Sequence, residues 1–290
     1  MTGRDSSRVL VAASLVALYL IWGSTYLAIR IALEGFPPLL MAALRHLSAG
    51  AILFAVLKLR GAPWPTRRQW RGALVTGALL LAGGNGGVSL SERSVASSFA
   101  AIVVASMPLW VAVIGLRYGH RTTRREIGGL LVGFAGVVIL NLGNPISGDP
   151  IAFIAIIASP ILWAWGSILS GRLELPRGPM ASAAQMLCGG AVLVVVGLAG
   201  GERLTVIASP RPVLAVGYLI ALGSLVAFSA YGYLLRTVRS TVATSYAYVN
   251  PLVAIALGVL FAHEDLSARG IVATALTLGG VFVLVSNPPG

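Results

Sequence analysis

The sequence predicts an all-α polytopic membrane protein, with ten transmembrane helices arranged as two inverted five-helix repeats. Three observations carry that expectation. Of the 290 residues, 57% are hydrophobic and only 10% are charged, where a soluble domain carries about 25% charged residues. Too few polar side chains remain to cover a soluble core of this size. The apolar residues fall into about ten runs of roughly twenty, each able at 1.5 Å per residue to cross a hydrocarbon layer about 30 Å thick. Finally, features recur at an offset of 143 (251 − 108): Pro108 returns as Pro251, and Trp22-Gly23-Ser24 returns as Trp165-Gly166-Ser167. The first repeat is read as residues 1–143 and the second as 144–290.

Span one, 9–31, is preceded by Arg4 and Arg8. Its apolar run passes twenty residues with no small-residue A-x-A cleavage site, which predicts a retained helix and not a removed signal peptide. Spans two (38–58) and three (70–91) are separated by the turn formers of Gly61–Pro65. Span three holds Gly83-Gly84-Asn85-Gly86-Gly87. No Lys-Ser/Thr follows it and no strand precedes it, so it is a poor phosphate loop. It reads either as backbone exposed to a cavity with Asn85 as a donor, or as tight packing through glycine. Span four is 95–117 and carries Pro108. Span five, 124–142, holds Gly129-x-x-x-Gly133 and Gly136, and span ten, 268–286, holds Gly279-Gly280. Both patterns permit close helix approach, read here as packing of the outer helix of each repeat, with dimerisation also open. Span six, 151–171, follows the Asn144–Pro150 link and carries Pro160 ahead of Trp163 and Trp165. Span seven, 180–199, contains the one cysteine, Cys188, which excludes an internal disulfide, and no metal-ligand spacing occurs. Span eight is 213–235.

Span nine, 240–262, organises the rest. Thr241 to Phe261 is uncharged, and Pro251 in its middle removes a backbone donor and crowds the carbonyl of Ala247. Thr244, Ser245, Tyr246, Tyr248 and Asn250 cluster just before it. In lipid, polar groups and loosened backbone persist only where they face protein or a wet cavity. The span is therefore expected to wall a cavity, or else to be a kinked packing helix whose polar groups bond to neighbours. In span four, Ser98, Ala101, Ala105 and Pro108 step by three, four and three and share one helix face. Thr241, Thr244, Tyr248 and Pro251 form the same face in span nine.

A cytoplasmic N-terminus puts fifteen of the 21 Lys and Arg residues at inner span ends and five at outer ends, with Arg45 inside span two. That excess predicts both termini in the cytoplasm. Five spans per repeat then invert the second half. The link after span four is basic (Arg121, Arg124, Arg125) and its counterpart after span nine is acidic (Glu264, Asp265). The net charge of +12 becomes a topology signal and a contact with anionic lipid headgroups, so a nucleic-acid partner has no place. Inverted halves of this kind are a recurring plan of alternating-access carriers, with the substrate site at their interface near mid-membrane.

The stretches LYLIWGSTYLAIRIALEGFPPLLMAALRHLSAG (18–50), GNGG with SERSVASSFAAIVVASMPLW (84–110) and ATSYAYVNPLVAIALGVLFAHEDLSARG (243–270) together resemble the EamA-type, ten-helix branch of the drug/metabolite transporter superfamily. The resemblance covers essentially the whole chain. One departure is that the acidic residue after the second-half proline helix, Glu264, is matched in the first half by His120 and Arg121. The resemblance implies a multi-pass exporter of the bacterial inner membrane moving small metabolites, most similar to the exporters of aromatic amino acids. Multidrug or other metabolite efflux on the same fold is the alternative. It implies no cofactor, a small-molecule substrate, membrane lipid as surroundings, and a monomer or weak homodimer.

Candidate site residues follow from chemistry in the apolar spans. Tyr19, Trp22 and Tyr26 form one stripe on span one, Trp163 and Trp165 follow Pro160, Trp110 follows Pro108, and Tyr246 and Tyr248 flank the span-nine break. Rings so placed would stack on a flat substrate, whereas Trp64 and Trp70 read as interface anchors. The substrate-binding set is Trp22, Asn85, Ser98, Trp163, Thr244 and Tyr248. Arg45 lies near mid-span, where charge is costly. It would meet a substrate carboxylate or, the favoured reading, bond to helix-end carbonyls, with His46 beside it packing. None of the nine Asp and Glu residues lies deep in a span, so downhill efflux stands level with proton antiport, and Glu92 is the candidate proton site. The spans that would line the cavity are one, three, four, six, eight and nine. A membrane-embedded enzyme is disfavoured because His46, His120 and His263 are scattered and neither H-E-x-x-H nor G-x-S-x-G occurs. A scaffold subunit has no need of inverted halves with matched prolines.

Overall fold

The computed structural model describes residues 3–95, 100, 103–120, 122–140, 142, 149–204, 209–253 and 268–286. Among them all regular structure is helical. The first half of the chain supplies α1 (Gly3–Ala32), α2 (Pro38–Leu59), α3 (Arg67–Ser91), α4 (Val103–Arg117) and α5 (Arg124–Leu140). The second supplies α6 (Pro150–Ser170), α7 (Pro179–Ala199), α8 (Pro210–Thr237), α9 (Ser240–Ala243, continuing over 246–253) and α10 (Ala268–Val285). Among the described residues seven helices are long and apolar enough to cross a membrane, namely α1, α2, α3, α6, α7, α8 and α10, and α4 is a shorter apolar helix. Ser98, Ala101 and the Glu264–Asp265 link lie outside the described residues.

Helix starts follow from local chemistry. Proline, which lacks the N–H that a first turn leaves unpaired, opens α2, α6, α7 and α8. Thr66 and Gln69 form a reciprocal capping box at α3, and Asp149 accepts from Ala152 N at α6. The α2 start is capped from a distance: the Glu202 carboxylate, just past α7, accepts from Leu39 N and Leu40 N at 3.1 and 2.9 Å.

Two tight seams hold the outside together. In the α5–α10 seam, a Cβ on Gly280 would sit 2.5 Å from Gly133 N and 2.6 Å from Gly129 O, and one on Gly136 would strike Thr277. In the α2–α7 seam, a Cβ on Gly190 would fall 2.8 Å from Leu47 Cγ, and one on Gly50 would fall 3.0 Å from Leu187 N. Small residues let backbones meet where lipid gives no hydrophobic drive between helices. Of the glycines that left dimerisation open in the sequence, Gly129, Gly133, Gly136 and Gly280 are thus occupied inside the chain, while Gly279 faces open space. Outward faces carry Leu27, Ile151, Ile154, Val195, Leu214 and Phe282, all well exposed, as a lipid-facing surface requires.

The inner helices are the irregular ones. α3 widens into a π-helix over Ala78–Asn85 and α8 into another over Leu219–Val226, so that Gly86 N reaches Leu81 O and Ala227 N reaches Leu222 O, five residues back. α4 and α9 tighten instead. Ser106 N bonds to Val103 O and Leu109 N to Ser106 O; Ala247 N bonds to Thr244 O and Tyr248 N to Ser245 O. Among the described residues, which end at 253 in this helix, the break in α9 falls at Thr244–Ser245, ahead of Pro251. Thr244 Oγ1 donates to Ser240 O and Ser245 Oγ to Val242 O, each beside a backbone N–H on the same carbonyl, the side-chain back-bonding that bends helices. Ser106 Oγ does the same for Val103 O in α4.

Candidate functional site: a central cavity between the two halves

Where these irregular helices meet lies a cavity of about 50 Å³. Its walls come from α1 (Trp22, Thr25, Tyr26, Ile29), α2 (Arg45), α3 (Asn85, Val88), α4 (Val104, Met107), α6 (Ser159, Trp163) and α9 (Tyr246, Asn250). A water needs roughly 10–15 Å³ of such space, while ligand pockets run about 300–1,000 Å³. The cavity therefore has room for a few waters and is contracted below ligand size.

Each half of the chain lends backbone to the other here. The π-helix of α8 frees the Gly223 carbonyl, which accepts from Trp22 Nε1 on α1 at 2.9 Å. The π-helix of α3 frees the Gly84 carbonyl, which accepts from Ser159 Oγ on α6 at 2.6 Å. A wide turn points carbonyls away from the usual ladder, which is why such turns recur at functional sites.

Beyond Met107 and Trp163 the cavity ends in rings. Trp22 meets Tyr246 with centroids 4.5 Å apart and Trp163 at 5.5 Å, both edge-on. Tyr231 of α8 sits 5.7 Å from Trp163 and 5.8 Å from Tyr246. Its hydroxyl accepts from Trp163 Nε1 at 3.0 Å and shares a hydrogen bond with Ser167 Oγ at 2.5 Å. One helical turn further on, Val111, Ser167, Ile168 and Leu235 line a vestibule of about 760 Å³ with His120, Arg172, Arg236 and Arg239 at its mouth. Consecutive turns of α4 and α6 thus border first the cavity and then the vestibule, and Tyr231 stands between the two.

Among the sequence-derived candidates, Trp22, Asn85 and Trp163 come together in the cavity wall. Thr244 and Tyr248 do not. Thr244 is buried with its hydroxyl on Ser240 O. Tyr248 turns away to α5, donating to Leu130 O at 3.0 Å with its ring over Gly133. The helix face shared by 241, 244, 248 and 251 is split: Thr241 borders the vestibule, while Thr244 and Tyr248 pack inside the protein. Glu92 ends α3, partly exposed and close enough for its charge to act on Tyr26, but it is not in the lining. Trp110 and Trp165 are exposed, the latter donating to Tyr118 Oη, and Trp64 is 70% exposed with Lys58 Nζ over its ring, as an interface anchor would be. Span eight enters the site by backbone and by Tyr231 and not through the lining, and span two enters through Arg45.

Arg45 departs from the favoured reading. Its guanidinium is not spent on helix-end carbonyls: Nε donates to Ser224 Oγ at 2.7 Å, and Nη1 is buried with no partner among the described residues. His46 is more than packing, since its Nε2 pairs with Asn85 Oδ1 at 3.2 Å and its Nδ1 faces Ser224 Oγ at 3.5 Å. Tyr231 and Ser224 were missed by sequence reasoning. The only hint was the polar interruption of an apolar run at Ser224 and at Ser229-Ala230-Tyr231. No group of three His, Cys, Asp or Glu side chains able to hold a metal ion occurs among the described residues.

Comparison with known proteins agrees with this architecture. A family model described as the EamA-like transporter family matches twice, over residues 9–142 and 150–286. The chain is 45% identical over 271 residues to the uncharacterized inner membrane transporter YedA of Escherichia coli (strain K12), covering 91% of this chain and 89% of that one. It is 25% identical to the uncharacterized transporter YvbV of Bacillus subtilis (strain 168), covering 95% and 89%. A solved crystal structure, described only as that of a protein, superposes with a TM-score of 0.75 over 97% of this chain and 96% of that one at 21% identity, a likeness of fold alone. A multi-pass helical chain matched along nearly its whole length by that model belongs to the EamA-like transporter family, as a transporter and not an enzyme.

Proposed function

We propose that this chain is an inner-membrane exporter of small metabolites, foremost amino acids with aromatic or other apolar side chains, working by alternating access between two inverted five-helix repeats. The observation that carries this reading is the cavity itself: Trp22 of one half and Trp163 of the other meet edge-on in its wall, and each half anchors its first helix to the other half's π-helical carbonyl. The double family match at 9–142 and 150–286 supports a repeated unit, and the name of YedA supports the inner membrane.

In this reading the ring cluster is a closed barrier. With the N-terminus cytoplasmic, the vestibule faces the cytoplasm. A solute advances from it only when Tyr231 parts from Trp163 and Ser167. The contracted cavity then widens around the solute, and the barrier re-forms behind it. Trp22, Trp163 and Asn85 are the proposed binding residues, and the transport unit is the single chain, alone or in a weak homodimer. Glu92, near the cavity rim, remains the proposed proton site. The purified chain in liposomes, loaded with unlabelled phenylalanine, tyrosine, tryptophan or leucine, should accumulate the labelled amino acid by counterflow. Trp163→Ala should lower that rate at least tenfold in folded protein. Counterflow with a drug panel and none with amino acids would replace the substrate and keep the mechanism. An unchanged pH response in Glu92→Gln would remove the proton site.

A further inference from the structure

We infer that Arg45 is the residue that reads the transported solute, so that the cavity selects molecules bearing a carboxylate and rejects cations. The inference rests on the cavity being the substrate site, as proposed above.

Arg45 keeps only 2% of its surface exposed, yet it borders the cavity. A buried guanidinium is ordinarily matched by an acid or by a full set of acceptors. Among the described residues one acceptor is present, Ser224 Oγ on Nε, and Nη1 has none. No Asp or Glu occurs among the described residues of the lining. The two ion pairs among the described residues, Arg211–Glu34 and Arg239–Glu126, lie elsewhere.

The surroundings are built for the guanidinium. Gly223 has no side chain where a Cβ would come within 2.8 Å of Nη2. Ser224 bonds to Nε while His46 and Asn85 brace one another alongside. What is missing is an anion with two acceptor oxygens, the shape that a planar guanidinium fork matches best. Asn250 supplies the opposite pole. Beside the Tyr26 hydroxyl, its Oδ1 is buried with no partner among the described residues and its side chain also borders the cavity, offering an acceptor to a donor on the same solute. A lone donor and a lone acceptor in one small cavity fit a carboxylate with a neighbouring amino or hydroxyl group. A lipophilic amine would set its charge against Arg45 with no acid to receive it.

The test uses the purified full chain and measures melting temperature and liposome counterflow for L-phenylalanine, L-leucine and 3-phenylpropionate against phenylalaninamide, leucinamide and 2-phenylethylamine. The carboxylates should raise the melting temperature and be transported, and the amides and the amine should compete at least ~100-fold more weakly, as expected when a buried charge loses its partner. Arg45→Gln should lose the carboxylate response by a similar factor. Its ligand-free melting temperature should stay level or rise, because an unmatched buried charge is gone, and Arg45→Lys should recover part of the binding. Carboxylate binding and transport unchanged in Arg45→Gln, amides or amines acting as well as acids, no response to any acid, or a ligand-free melting temperature that collapses in Arg45→Gln would each overturn the inference. Transport of amides by both proteins would sink this assignment and leave the carrier standing. A carboxylate-dependent melting shift without counterflow would sink the carrier reading and leave Arg45 as an anion site.

Discussion

Tyr248 and Trp163 are both large, buried aromatics beside a helix irregularity, and they call for opposite experiments. Tyr248 fills the space over Gly133 and donates to Leu130 O. Tyr248→Ala should therefore cost roughly 3–5 kcal/mol of stability, seen as a lower melting temperature in detergent, while transport per folded molecule is retained. Trp163 borders the cavity, so its replacement should affect transport first. Tyr231→Phe removes the acceptor of Trp163 Nε1, while Ser167 Oγ keeps its bond to Trp163 O, a loss of about 1–3 kcal/mol for leaving the buried indole N–H unpaired. With the barrier loosened, a cysteine placed at Val88 in the cavity wall should react faster with a thiol reagent added from the vestibule side. An unchanged labelling rate would mean that the rings are packing alone. The sequence made Trp22, Asn85 and Trp163 legible because each is a polar-capable side chain in mid-span. It misplaced Tyr248 and Thr244 because one helix face was carried through a turn that is not α-helical.

The seams between α5 and α10 and between α2 and α7 are backbone contacts, and they should fail as such. Gly280→Val would drive a side chain into Gly133 N and Gly129 O. Overpacking of that kind costs about 1–3 kcal/mol or more, so the variant should melt earlier or fail to accumulate. Its oligomeric mass in detergent should not change, because the glycine stripe is already occupied within the chain. A shift in mass would show that the stripe also joins copies. The small-residue spacing told the sequence reader that these helices approach something closely, and it was silent on which helix. Partner choice is set by the tertiary arrangement, and the same Gly-x-x-x-Gly serves a seam or a dimer. The π-helices were less legible still. Glycines at 83–87 marked one as unusual, whereas Leu219–Val226 contains only Gly223 and Ser224 to distinguish it from an ordinary apolar run.

The two halves of the chain are joined at the vestibule by an ion pair, Arg239 Nη1 to Glu126 Oε1 at 2.6 Å. Glu126 is 3% exposed at its side chain and also accepts from Thr123 N and Thr241 Oγ1. Glu126→Ala would strand those donors and the partly exposed Arg239 charge. A loss of roughly 1–3 kcal/mol is expected, below the full range for a buried pair because Arg239 still reaches water. Arg239→Gln should cost less, since the carboxylate keeps its Thr123 donors. The two melting temperatures, compared in one detergent, check the order. The all-helical, multi-pass character was readable from composition and span length because those are properties of whole spans. The contracted state of the cavity was not, since it depends on how two halves settle against each other. The π-helices carry one more consequence. Each is a place where the winding holds surplus chain, so deleting a single residue within Ala78–Asn85 would let the segment relax to ordinary winding with the rest of α3 nearly in phase. The Gly84 carbonyl would return to the α-helical ladder, and Ser159 on the other half would lose its acceptor. Indels at these two stretches should therefore be purged from functional descendants of this gene even where point changes of the same residues are accepted.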